Sequence, residues 1–247
     1  MNEDIMTDPF FRSGSSSGGV AGLDRVTFDA GLRTHMQRVF GYMGGGLAIT
    51  GLLAWVVANT VLAQIIFGSP LRWVVMLAPL AFIFVMNFRM NTISLSGLKT
   101  MFWLFCGTMG LSMGAIFLVF TGASIARAFF ITAATFGAMA LWGYTTKRNL
   151  ASMGAFLMMG LFGLMIAMIV NIFMMSSMLQ WMVSIAGVAI FTGLTAWDVQ
   201  RIKQTYSESY GAEANDKLAV FNALSLYLNF INAFQFMLEL TGQVRRS

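Results

Sequence analysis

Residues 149–197 read NLASMGAFLMMGLFGLMIAMIVNIFMMSSMLQWMVSIAGVAIFTGLTAW, 49 positions without a single Asp, Glu, Lys or Arg. Wound into one helix, this stretch would be roughly 73 Å long, more than twice the ~30 Å hydrocarbon core of a bilayer. It therefore predicts two membrane-spanning helices that turn near Asn171–Gln180. Other charge-free runs extend the pattern outward. Spans are predicted near 39–60, 73–88, 100–126, 128–146 and 218–238, with Gly68-Ser69-Pro70 breaking the chain between the first two. The fold class is an all-α integral membrane protein with seven transmembrane helices. Composition agrees. The 247 residues are 57% hydrophobic and 10% charged, with a mean hydropathy of +0.74. A soluble domain carries about 45–50% apolar and about 25% charged residues, so an ordinary soluble protein is excluded.

Outside the spans the chain divides simply. Residues 1–36 are polar and include Gly14-Ser15-Ser16-Ser17-Gly18-Gly19. They are expected to be a cytoplasmic tail, mobile up to about Gly22, followed by an amphipathic helix on the membrane surface over 24–38. No apolar stretch follows a basic start there, so no cleavable signal peptide is expected. Residues 37–242 form the membrane domain and 243–247 a short C-terminal tail. With the N-terminus in the cytoplasm, eleven Lys/Arg residues fall on the cytoplasmic side. The other side holds four: Arg72, Arg127, Arg245 and Arg246. That bias follows the positive-inside rule and suits a bacterial inner membrane. The net charge of +5 is thus a topology signal at span ends, and no nucleic-acid partner is implied. The bilayer itself is the expected partner.

Cysteine and histidine are nearly absent. Cys106 lies in an apolar run, and His35 precedes the first span as an interfacial polar residue. An intrachain disulfide and a cysteine-based zinc site are therefore impossible. Ionisable groups at membrane depth are costly and become functional candidates. They are Asp198 at the end of the sixth span, Arg89 at the end of the second and Glu239 near the end of the seventh. The seventh span also carries Asn222, Ser225, Asn229 and Asn232. Their spacing places them with Glu239 on one helical face. That face, with Thr195 one turn before Asp198, either lines a polar cavity or bonds to neighbouring helices; spacing leaves both open. Asp198 pairs either with Arg89 or locally with Arg201 or Lys203. No span holds a lysine for a Schiff base, a second aspartate for an intramembrane aspartyl protease, or a histidine for a serine protease. No phosphate-binding loop is present. The chain is not expected to be an enzyme or to carry a resident cofactor.

Two stretches carry a family resemblance. Thr195-Ala-Trp-Asp198-Val-Gln-Arg-Ile-Lys203 and Ala223-Leu-Ser-Leu-Tyr227-Leu-Asn229-Phe-Ile-Asn232 resemble the paired signatures of the Bax inhibitor-1 family, bacterial type. The resemblance covers about residues 33–240. It implies six helices around a central seventh, and a pH-dependent calcium leak in bacterial members. It also implies calcium homeostasis and cell-death suppression in eukaryotic members, and links some bacterial ones to a membrane-bound ATP-dependent protease. The implied sensor is a pair of aspartates latched by an arginine. Asp198 matches the first aspartate, and is also a calcium-site candidate. Arg89 matches the arginine. The second aspartate position is Asn229, and Ala78 stands where some relatives carry a glutamate. Asn229 removes the mutual repulsion of two carboxylates, and an amide can donate to or accept from Asp198. The expected gate is therefore Asp198, Arg89 and Asn229, with calcium as the transported ion. The competing expectation is a non-conducting membrane protein that modulates a protease or a stress response, with the N-terminal tail presented to the partner.

Overall fold

Hydroxyl groups set several helix starts. Ser94 accepts a hydrogen bond from Gly97 N, Thr121 from Ser124 N and Ser176 from Leu179 N. Each satisfies an amide that has no partner within its own helix. The computed structural model describes residues 17–89 and 92–245, with side chains from residue 30 onward except Glu208. The helices are α1 (Ser17–Ala58), α2 (Leu62–Phe67), α3 (Leu71–Phe88), α4 (Leu95–Val119), α5 (Gly122–Thr145), α6 (Ala151–Met174), α7 (Ser177–Thr205) and α8 (Gly211–Thr241). All but α2 are long and apolar enough to cross a membrane, α1 from Ala30 onward. The chain is thus an all-α integral membrane protein with seven spans.

The long uncharged segment does turn where its length requires. Met175 takes a left-handed conformation (φ 49°), and its N–H bonds Asn171 O. The Asn171 side chain also accepts from Ser176 N, so one asparagine closes the α6–α7 corner.

Two boundaries differ from the sequence expectation. The third and fourth spans were divided at Arg127, yet the turn falls at Phe120-Thr121, and Arg127 lies exposed in the second turn of α5. A charge near a helix end can reach out of the apolar layer, so charge marks the layer while the Thr121 cap marks the helix start. The expected surface helix over 24–38 is instead continuous with the first span. Its Leu32, Met36 and Val39 belong to the main core, and the His35 side chain is buried among them. Residues 1–16 of the expected tail lie outside the described residues; from Ser17 the chain is helical.

Helix α8 is the most buried span, with α7 next. It packs against α1, α4, α5 and α7, whereas α3 docks on α4 and α6 on α7. The seventh span is therefore central, and two of the surrounding six reach it mainly through a neighbour. On α6, Phe156, Phe162, Ile166 and Phe173 stay exposed, as expected where lipid replaces protein. At the other extreme, α5 and α7 approach so closely that a side chain at Gly143 would meet the backbone of Ala196. Between α1, α4 and α8, Tyr227 is fully buried. Its hydroxyl meets Thr50 Oγ1 at 2.7 Å, and Thr50 also bonds Cys106 O at 2.9 Å. The phenol's polar end is thus satisfied inside an apolar core. Cys106 itself is buried there.

Candidate functional site

Asp198 lies in α7, seven residues before the helix ends at Thr205. It is 3% exposed. A buried carboxylate in an apolar bundle needs donors around it, and α8 supplies them. Ser225 Oγ donates to Asp198 Oδ2 at 2.8 Å, and Asn229 Nδ2 donates to the same oxygen at 2.7 Å. These two residues are four apart on α8, one turn of helix, so they present their donors side by side. The other oxygen, Oδ1, faces Arg201 Nη2 at 2.8 Å in an ionic contact that lies outside hydrogen-bond alignment. Arg201 in turn stacks on Trp197, with its guanidinium carbon 4.8 Å from the ring centroid.

The rest of the motif is equally committed. Gln200 Oε1 accepts from Leu150 N, and its Nε2 donates to Arg148 O, each at 2.7 Å. One side chain thereby clamps the α5–α6 turn. Lys203 Nζ donates to Tyr144 O at 3.2 Å at the end of α5. The polar residues from 198 to 203 therefore hold α7 to α8 and to the α5–α6 turn. Nearby, Arg38 of α1 forms an ion pair with Asp216 of α8, and His35 packs on the Tyr206 ring at 5.3 Å.

The structure redistributes several expected roles. Arg89 is exposed at the C-terminal cap of α3, and the cation at Asp198 is Arg201. The local pair wins because one helical turn already brings Arg201 into contact, whereas α3 is an outer helix. Of the polar face of α8, Ser225 and Asn229 bond Asp198. Glu239 accepts from Ser184 Oγ and from Gln180 Nε2, each at 2.7 Å. Asn232 turns back to Leu228 O. Asn222 is buried, and its Nδ2 makes no hydrogen bond. Ser225, Asn229 and Glu239 are thus bridges between α7 and α8 rather than the walls of an open cavity. Thr195 does border a small cavity, together with Thr132 of α5.

Asp198 as a calcium ligand fits this arrangement poorly. Calcium takes about six to eight oxygen ligands, while the groups on Asp198 are an amide N–H, a hydroxyl donor and a guanidinium. Among the described residues no three His, Cys, Asp or Glu side chains gather where they could hold a metal. Sequence reading missed Gln180, Ser184, Gln200 and Thr132. Gln180 and Ser184 were legible as a second polar pair four residues apart, a helical turn on α7.

A seven-helix membrane protein whose last two spans are joined by a buried aspartate at one end and a glutamate at the other is the class defined here. Residues 32–246 match the family described as "Inhibitor of apoptosis-promoting Bax1", and the chain belongs to this Bax inhibitor family. It is 38% identical to the inner membrane protein YbhL of Escherichia coli, over 87% of this chain and 94% of that protein. It is 42% identical to an uncharacterized protein of Rickettsia prowazekii over 89% of this chain and 93% of the relative. With an uncharacterized protein of Caulobacter vibrioides the identity is 40%, over 88% and 91% respectively.

Proposed function

We propose that this protein is a pH-sensitive cation leak of the bacterial inner membrane, with calcium as its cargo and Asp198 as its gate. The observation that carries the proposal is the buried carboxylate of Asp198, which joins α7 to α8 through Ser225 and Asn229 and contacts Arg201 on its own helix. Hydrogen bonds to an ionised acceptor are roughly twice as strong as neutral ones. Protonation of Asp198 would weaken both bonds from α8 and cancel the attraction to Arg201. Acidification therefore loosens α8 from α7, and α8 is the central helix. A group whose charge holds two packed elements together is the kind of local event that biases a two-state fold. The N-terminus lies in the cytoplasm in this reading. The role first assigned to Arg89 passes to Arg201.

The test is calcium entry into dye-loaded proteoliposomes across a pH series, for wild type and Asp198→Asn. The variant mimics the protonated side chain in charge. Wild-type flux is expected to rise on acidification, and variant flux to be high and insensitive to pH. If folded wild-type protein shows no flux above empty liposomes at any pH, the leak is wrong. The non-conducting reading, modulation of a membrane protease or of a stress response, then takes its place, and partner capture with and without residues 1–22 becomes the decisive experiment.

A further inference from the structure

Thr132 of α5 is 2% exposed, and its hydroxyl has no hydrogen-bond partner. It borders a cavity of ≈ 10 Å³ between α5, α7 and α8, together with Thr135, Thr192 and Thr195. That volume is close to the lower limit for one water, which also needs two to four polar partners. The hydroxyls of Thr135 and Thr195 donate to carbonyls of their own helices, Ile131 O and Phe191 O. A hydroxyl has one proton and two lone pairs. These two can therefore only accept from a guest, while Thr132 can still donate. That pattern of one free donor and two acceptors is complementary to a water molecule, with Phe136, Val188, Ala233 and Met237 completing the wall.

The position of this cavity matters as much as its chemistry. On α7, Thr195 lies one turn from Asp198, followed by Thr192 and then by Ser184 and Gln180, which hold Glu239. From Asp198 to Gln180 the helix rises about 27 Å, close to the thickness of the hydrocarbon core. One face of α7 thus carries polar groups at both ends of the span and at the threonine cavity, with Val188 between Thr192 and Ser184.

We propose that the threonine cavity is a buried hydration site and the midpoint of a polar track between α5, α7 and α8, which runs from Asp198 to a second station at Glu239. Glu239, Ser184 and Gln180 form the far mouth of that track, where a cation is exchanged between bulk water and the bundle. The transport role of the track rests on the leak reading above; its hydration does not.

Hydration is tested by X-ray radiolytic hydroxyl labelling of the detergent-solubilised full chain, since buried water generates label at adjacent side chains. Phe136 and Met237 line the cavity, and Phe102 is a fully buried aromatic elsewhere in the core. Phe136 and Met237 are expected to label well above Phe102. Label at Phe136 should fall to the Phe102 level in Thr132→Val and return in Thr132→Ser. Wild-type label at Phe136 no higher than at Phe102 overturns the hydration site. Flux is the second arm. Thr132→Val and Glu239→Gln are expected to lower proteoliposome flux several-fold without moving its pH midpoint, whereas Asp198→Asn removes the pH response. Wild-type flux at the unchanged level in both variants overturns the track while leaving the gate standing. Labelled cavity residues in a protein without flux would overturn the leak and keep the water.

Discussion

At the scale of single residues, the most informative position is Asn229. It donates to the oxygen of Asp198 that Ser225 also bonds, so the second aspartate of the family pattern is replaced by a donor rather than by a second acceptor. Its removal leaves a buried oxygen with one partner fewer. Asn229→Leu is expected to destabilise the protein by about 1–3 kcal/mol, measured as a lower midpoint of thermal unfolding in detergent. Asn229→Asp is a different experiment. It places two carboxylates at hydrogen-bond distance, where they titrate as a coupled pair and hold one proton in common. The pH profile of the variant's flux is expected to be displaced toward higher pH; a profile superimposable on wild type would exclude the coupling. Arg201→Gln should likewise alter the profile, because it removes the positive charge beside Asp198 Oδ1. Arg89→Gln should not, because Arg89 is exposed at the end of α3. Asp198 and Asn229 were legible from the sequence because ionisable and amide groups at membrane depth stand out against so apolar a background. Arg201 was the less conspicuous partner, since a contact one turn away looks like an ordinary interfacial pair.

At the scale of elements, helix number followed from length and charge, and helix ends did not. Charge points to Arg127 as the divide between α4 and α5, whereas the helix start is set by Thr121-Gly122-Ala123-Ser124, which holds a capping hydroxyl three residues before the amide it accepts from. Packing between elements is less legible still. Glycines on α5 look alike in sequence, yet Gly143 abuts the backbone of Ala196 while Gly137 has open space where a side chain would project. Gly143→Ala must push α5 away from α7, and overpacking of this kind costs about 1–3 kcal/mol. Gly137→Ala meets no neighbour and gains up to about 1 kcal/mol in helix propensity. Thermal midpoints of the two variants are expected to move in opposite directions. A similar loss in both would mean that α5 and α7 are not held at this distance in the bilayer.

At the scale of the whole molecule, the seven spans make a claim about sides that no single helix makes. Residues 243–245 return to the α4–α5 turn: Thr121 N bonds Gln243 O, Gln243 N bonds Ser124 Oγ, and Arg245 N bonds Val119 O. The C-terminal segment and the α4–α5 turn are therefore on one side of the membrane, as the four spans α5 to α8 between them require. Charge counting sets Arg245 on the same side as Arg127, and the bond from Arg245 N to Val119 O ties it to the α4–α5 turn independently of charge. In the proposed orientation, which rests on the positive-inside rule, the α5–α6 turn with Lys147 and Arg148 is expected to face the cytoplasm. Single cysteines at Gly122, Gln243 and Lys147 test this in a Cys106→Ala background, since all three positions are exposed. In intact cells, an impermeant maleimide is expected to label the Gly122 and Gln243 variants and to spare the Lys147 variant until the membrane is opened. Labelling of Lys147 alone would invert the molecule and put Asp198 at the outer face, where external rather than cytoplasmic acid would reach the gate. Unlike labelling at Gly122 and Gln243 would break the pairing itself, and with it the seventh crossing on which the central position of α8 depends.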